Sequence, residues 1–209
     1  MEKERYLREL YTRNPPDSLD KLKNKVVGIS GAGGLGSNIA ISLLRAGVQR
    51  FIIADYDRVE LSNLNRQYYF LDQVGMKKTA ALHQNLLRIN PHVQATLHDT
   101  RITADNLTDL FTGAHLLIEA FDDPEMKAMA ANRWLQSFPD RFIITGSGIS
   151  GYGMLNTLGT TVCGKLIICG DQKTQYTKEI GLTAPRIGLV AQMQANAALE
   201  ILLDGKITC

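Results

Sequence analysis

Gly31, Gly33 and Gly36 follow the apolar run Val26-Val27-Gly28-Ile29-Ser30 and precede Ile39, Leu43 and Leu44, which recur at helical spacing. A backbone without Cβ atoms can turn tightly there and approach a phosphate. The N-terminus of the following helix then offers unpaired N–H groups and about half a positive charge. Asp55 stands 19 residues past Gly36, at the end of the run Phe51-Ile52-Ile53-Ala54, where it can accept hydrogen bonds from ribose hydroxyls. A glycine turn that only packs a helix on a sheet would use the same glycines. The order strand, loop, helix, acid argues for a nucleotide, without saying which one.

Asp55 also opens a dense polar stretch running through Asp57, Ser62, Asn63 and Asn65 to Arg66 and Gln67. Hydride transfer has no use for such a cluster. A triphosphate attacked by a carboxylate does, because like charges near 4 Å cost about 4 kcal/mol at an effective dielectric of ~20. Fixed cations are needed, and Arg66 and Lys78 are the candidates. Asn63 and Asn65 are candidates for positioning phosphate or metal-bound water. Magnesium takes one or two carboxylates with phosphate oxygens, and Asp122, in Glu119-Ala120-Phe121-Asp122-Asp123, is the candidate ligand. Singly, Arg66 and Lys78 read as solvated charges and Asp122-Asp123-Pro124 as a helix cap. Jointly, at strand ends on one sheet edge, they read as a site.

The elements that must position these residues follow from periodicity. Strands are expected at 25–30, 51–54, 92–98, 115–119 and 142–145, with helices over 77–89, 103–111, 124–137 and 185–204. This alternation predicts an α/β, Rossmann-like doubly wound and mostly parallel sheet with helices on both faces. After Gly146 the glycines and β-branched residues predict antiparallel strands that extend the sheet, then a polar crossing loop over 170–182. Residues 1–24, broken by Pro15-Pro16 and with a short helix at 5–13, read as an N-terminal arm. Residues 25–209 read as a single nucleotide-binding domain.

Composition bounds the remaining classes. The 209 residues are 44% apolar and 21% charged, an ordinary globular balance that excludes extended disorder. A net charge of +2 gives no footprint for nucleic acid. No apolar stretch approaches the ~20 residues a bilayer requires, and Met1-Glu2-Lys3-Glu4-Arg5 leads into no apolar signal region. A cytoplasmic protein without membrane or nucleic-acid partners is expected. The three cysteines, Cys163, Cys169 and Cys209, form no Cys-x-x-Cys pair, so neither a disulfide framework nor a structural zinc is expected.

The chain resembles the activating enzymes of ubiquitin-like proteins, nearest to their bacterial ThiF and MoeB relatives. The likeness runs through Arg5-Tyr6-Leu7-Arg8, Gly31-Ala32-Gly33-Gly34-Leu35-Gly36, Asp55-Tyr56-Asp57, Ser62-Asn63-Leu64-Asn65-Arg66-Gln67, Val74-Gly75-Met76-Lys77-Lys78, Arg88-Ile89-Asn90-Pro91 and Ala184-Pro185-Arg186-Ile187-Gly188. The resemblance implies magnesium-ATP chemistry: adenylation of the C-terminal glycine of a small ubiquitin-fold sulfur carrier ending in Gly-Gly, with release of pyrophosphate. It places Gly34 on the phosphates, Asp55 on the ribose, Asp122 on the magnesium, and Ser62, Asn63, Asn65, Arg66 and Lys78 on the nucleotide. It makes Arg8 a finger supplied in trans by a homodimer partner. Where the family usually has Asn, this chain has Asp123.

The short, zinc-free build resembles compact ThiF proteins more than MoeB, which implies a ThiS-like carrier and thiamine thiazole synthesis. A MoaD-type carrier for molybdopterin synthesis and an NAD-dependent oxidoreductase are the alternatives. The crossing loop carries no cysteine, so sulfur is expected from a separate donor protein. Cys163 and Cys169 are expected as small buried side chains in strands.

Overall fold

The structure is a computed structural model that describes residues 2–208. Two short helices, α1 (Glu2–Leu10) and α2 (Ser18–Leu22), precede β1 (Val26–Ser30). Then come α3 (Gly34–Arg45), β2 (Arg50–Ala54), α4 (Lys78–Ile89), β3 (Gln94–His98), α5 (Leu107–Phe111), β4 (Leu116–Glu119) and α6 (Pro124–Ser137). The chain continues through β5 (Phe142–Gly146), β6 (Gly159–Cys163), β7 (Leu166–Gly170) and α7 (Ala184–Asp204). All seven strands form one sheet in the order β3-β2-β1-β4-β5-β7-β6. The mostly parallel architecture expected from the alternation is present. One refinement concerns the extension: β7 runs parallel to β5, and β6 alone runs antiparallel.

Strand alternation feeds two cores. Val27 and Ile29 of β1, with Leu116 and Ile118 of β4, face a large cluster shared with Ile39 and Leu43 of α3 and Val190 and Ala198 of α7. Leu117 of β4 and Ile143 of β5 face the other way, onto Phe111 of α5 and Trp134 of α6. Being buried on both faces, these strands read as continuous apolar runs rather than as alternating ones. Gly28 of β1 has a packing reason: a Cβ there would sit 2.9 Å from the Phe111 ring and 3.0 Å from Leu117. Burying the Trp134 indole requires a partner for its N–H, which donates to Phe142 O at 3.1 Å.

Residues 2–24 lie against this body. Leu7 is buried, and Leu22 is fully buried in the larger core. The buried Tyr11 hydroxyl donates to Leu44 O at the end of α3, at 2.8 Å. The first helix begins earlier than the 5–13 expected, and α2 had no counterpart in the periodicity because five residues are too few to show one.

The sheet order reverses between β1 and β4. From β1 the chain winds outward through β2 and β3, then returns to add β4 and β5 on the opposite side. The helices that follow β1 and β4 therefore diverge, and a crevice opens at the carboxyl ends of the two strands. Ligands of open α/β sheets bind at this point.

Candidate functional site

A cavity of about 270 Å³ occupies that crevice. Gly31, Gly33, Gly34 and Leu35 line it from the loop after β1, Asp55 to Asp57 from the end of β2, and Ala120 to Asp123 from the end of β4. Gly31 has φ +98°, and a Cβ on it would lie 3.0 Å from Ala120 O. At Gly36 a Cβ would come within 1.9 Å of Gly31 O, so only glycine lets α3 seat on its own loop. The residue capping α3 is Gly33, which has no side chain to satisfy the first-turn N–H groups. Those donors are left for a ligand.

Asp55 serves both the loop and the cavity. Its Oδ2 accepts the Ala32 N–H at 2.6 Å and its Oδ1 the Asp57 N–H at 2.7 Å. Burial pushes its carboxyl above the usual carboxylate range, opposed by the Lys78 charge and by these two N–H groups. Tyr69 supports the same corner. Its buried hydroxyl donates to Ala32 O at 2.6 Å, and burial beside Asp55 and Asp57 pushes its phenol well up.

Both expected cations line the cavity. Lys78 is the first residue of α4, and only 8% of its side chain is exposed. Its Nζ lies 2.7 Å from Asp57 Oδ2, so Asp57 is first of all the counter-ion that keeps this buried cation in place. Arg66 is more exposed. Its Nη1 donates to Ser62 O at 3.1 Å and Asn65 Oδ1 at 2.7 Å, and its stem runs beside Gly34.

Ser62, Asn63 and Asn65 differ from expectation, since none of the three lines the cavity. Asn63 is buried and its Oδ1 accepts the Glu60 N–H at 3.0 Å, closing the turn at 61–63. The Ser62 hydroxyl donates to Glu60 Oε2 at 3.2 Å. Asn65 orients Arg66 and donates to Leu182 O at 3.4 Å. Polar residues in such a segment first satisfy their own backbone, and here they hold Arg66 in place. Arg8 lies at the opposite edge of the sheet, in a second cavity with Arg50 and Gln94 at the starts of β2 and β3. There it pairs with Glu4 at 2.9 Å, away from the site of its own chain.

The three acids at the end of β4 and just after it have three different environments. Glu119 is fully buried and bound by Lys127, Thr145 and the Phe121 N–H. Asp123 caps α6, its Oδ1 accepting the N–H groups of Glu125 at 2.8 Å and Met126 at 3.4 Å. Asp122 lines the cavity and has no hydrogen bond or ion pair among the described residues. Among those residues no cluster of three acidic, histidine or cysteine side chains forms a cage for a metal. Magnesium does not need one, because one carboxylate with phosphate oxygens and waters suffices. Asp122 meets that requirement.

Several lining residues were given no role from the sequence, although Tyr56, Gln67 and Phe121 lie inside its motifs. Tyr56, Ile102, Phe121 and Met126 make an apolar sector beside Asp55, with the Arg101 guanidinium 5.7 Å from the Tyr56 ring centre. Gln67 is buried on the wall, and its Oε1 has no hydrogen-bond partner among the described residues. Ile102 and Phe121 follow the carboxyl ends of β3 and β4, a signal that strand prediction alone could have supplied. The opposite wall is Ile149, Leu182 and Ile187. A buried ion pair stands behind it, Arg186 Nη2 to Asp171 Oδ2 at 2.5 Å. Cys169 is buried as expected, whereas Cys163 is exposed on β6, the sheet's outer strand. Cys209 lies outside the described residues.

Residues 6–208 match the ThiF family, and the chain belongs to it. It is 30% identical over 190 residues to the adenylyltransferase and sulfurtransferase UBA4 of Saccharomyces cerevisiae (strain ATCC 204508 / S288c), covering 88% of this chain and 43% of the relative. It is also 30% identical to the ubiquitin-like modifier-activating enzyme 5 of Arabidopsis thaliana, covering 90% of this chain and 50% of that one. The chain thus spans about half the length of these curated relatives. Among solved structures, the E. coli tRNA N6-threonylcarbamoyladenosine dehydratase TcdA in complex with ATP superposes with a TM-score of 0.83 at 20% identity, over 98% of this chain and 95% of that one. E. coli MccB with AMPCPP and MccA superposes at 0.68 and 23% identity, over 90% and 59%. These two likenesses establish the fold.

Proposed function

We propose that this ThiF-family chain is an ATP-dependent adenylyltransferase that activates the C-terminal carboxylate of a small ubiquitin-fold protein. The observation that carries the reading is convergence. The α3 N-terminus without a side-chain cap, Asp55, Arg66, Lys78 and Asp122, which has no partner among the described residues, all line one cavity at the sheet's switch point. In hydride transfer Arg66, Lys78 and Asp122 would have no task.

Each residue takes a role its surroundings suit. Asp55 receives the ribose hydroxyls, and the first turn of α3 receives phosphate oxygens. Tyr56, Ile102 and Phe121 offer an apolar berth for the base. Asp122 would hold magnesium together with phosphate oxygens, and the metal supplies charge neutralisation there. Arg66 and Lys78 offset the charge of two anions brought together, which is most of what this reaction asks of a protein. The incoming carboxylate, ionised at neutral pH, attacks the α-phosphorus. The new C–O–P bond forms as the α–β anhydride bond breaks, and pyrophosphate leaves with that electron pair. No protein base is needed.

The finer reading is a ThiS-like sulfur carrier ending in Gly-Gly, in thiamine thiazole synthesis in the cytoplasm. The relatives' names support a ubiquitin-like substrate: one is a ubiquitin-like modifier-activating enzyme, the other an adenylyltransferase and sulfurtransferase. The crossing segment has no cysteine, which supports a separate sulfur donor. Arg8, remote from its own site, is available to the site of a second copy in a homodimer. Among the described residues no helix is long and apolar enough to cross a membrane.

ATP–pyrophosphate exchange tests the reading. Carrier-dependent exchange is expected, strongest with a ThiS-type carrier. Preference for a MoaD-type carrier would move the pathway, and no exchange with any Gly-Gly carrier would remove the function. For Arg8, mixing Arg8→Ala with Asp122→Ala subunits should restore activity through hybrid sites. No recovery in verified heterodimers would end the trans assignment.

A further inference from the structure

Of the three acids at the end of β4 and just after it, Asp122 has no partner among the described residues, and the other two hold the backbone on either side of it. We propose that Glu119 is a positioning residue for the metal–triphosphate: paired with Lys127, it fixes the turn that presents Asp122 to the cavity. The inference rests on the reading of Asp122 as the magnesium ligand.

Glu119 ends β4 and is fully buried. Its Oε1 accepts the Phe121 N–H at 2.6 Å, and both oxygens lie 3.2 Å from Lys127 Nζ. Its Oε2 accepts the hydroxyl of Thr145, the residue opposite it on β5. Even its backbone oxygen is engaged, by Gln194 Nε2 of α7 at 3.4 Å. One carboxylate thus joins β4, β5 and α6 at the base of the turn. On the far side Asp123 fastens the same turn to the N-terminus of α6. Asp122 sits between Phe121, whose N–H is held by Glu119, and Asp123, which is tied to α6.

Stability alone does not account for a carboxylate here. Taking an ion pair out of water carries a large desolvation penalty, and a well-packed apolar pair is often as stable or more so. Burial accordingly pushes the Glu119 carboxyl upward, against the Lys127 charge and the hydrogen bonds it accepts. What a carboxylate offers is two acceptor oxygens. One takes the Phe121 N–H, the other the Thr145 hydroxyl, and Lys127 bridges both. A carboxamide has an acceptor on one side only. Supporting groups of this kind typically set metal affinity by 10- to 100-fold.

The test uses the whole chain and needs no carrier. Nucleotide binding is measured calorimetrically across a magnesium titration and in EDTA, and amide exchange of 120–122 is followed without metal. Glu119→Gln should raise the half-saturating magnesium concentration about tenfold, leave binding in EDTA within about twofold, and speed exchange of the Phe121 amide. An unchanged magnesium requirement, whatever the effect on exchange or Tm, would overturn the proposal. Should Glu119→Gln not fold, Lys127→Gln alters the more exposed partner and reads the same constant. Asp122→Asn separates the two levels. If it leaves the magnesium requirement as in wild type, the metal assignment falls and this inference with it. If it raises the requirement and Glu119→Gln does not, only this inference falls.

Discussion

On one side of the cavity, Gly31, Asp55 and Ala120 continue directly from the ends of three adjacent parallel strands. On the other, Ile149 and Leu182 sit in loops that pass through left-handed conformations at Gly148, Gly151, Gly153 and Gly181. The first wall takes its geometry from sheet register, which the core fixes. Among the described residues the second has a parallel bridge, Gly151 to Leu182, and a buried ion pair behind it. Arg186 stands in the first turn of α7, where the helix dipole disfavours a cation. Asp171 offsets that, and Arg186 also donates to Gly153 O at 3.0 Å. A wall built on strands can stay rigid, as the proposed nucleotide site requires, whereas a wall on loops can yield, as the proposed polypeptide substrate would require.

Breaking the ion pair should therefore have the largest effect. Asp171→Ala leaves Arg186 buried without its counter-ion, and about 3–5 kcal/mol of stability is expected to go. Urea unfolding measures it. The pH dependence gives a second check. Burial alone would raise the Asp171 carboxyl, but hydrogen bonds from Thr174 and the Lys173 N–H, with the Arg186 charge, hold it below the usual range. A carboxyl lowered on folding contributes stability above its unfolded pKa of about 3.9, lost as pH falls through the lower folded value. The deficit of Asp171→Ala should shrink in that window. A deficit equal in neutral and strongly acidic urea would show that the loop wall does not depend on this charge.

Next in size is the strand wall's own chemistry. Asp122→Ala should lower exchange by about 10²–10³-fold, the usual cost of one group that stabilises transition-state charge. Its urea midpoint should not move, because Asp122 has no partner among the described residues to lose. The two variants thus part the walls: one changes stability first, the other rate first. A near-normal rate for Asp122→Ala would erase the distinction.

That division also explains what could be read without a structure. The strand wall was legible because its signals are local: Gly31, Gly33 and Gly36 between an apolar run and a helical one, with Asp55 and Asp122 each at a strand end. The loop wall's decisive contacts join Gly153, Asp171 and Arg186, segments apart in sequence and without periodicity. Nothing in the spacing pairs Asp171 with Arg186. The same limit affected Ser62 and Asn63, whose chemistry suits a phosphate but whose hydrogen bonds close their own turn. It also hid the direction of β7, which composition marks as a strand without saying which neighbour it joins.

The smallest effect concerns Asp123, and it sharpens the comparison most finely because it lies one residue from the metal candidate. As a helix cap it accepts two backbone N–H groups through Oδ1 alone. Asparagine offers the same acceptor, so Asp123→Asn should change stability by no more than about 0.5 kcal/mol, since Asn and Asp cap almost equally well. Asp123→Ala removes the cap and should cost about 1 kcal/mol. Exchange rates in both should follow the folded fraction. If instead Asp123→Asn slowed exchange as far as Asp122→Ala while remaining folded, the second acid would be acting on the metal, and the strand wall would hold two ligands where the geometry leaves one free.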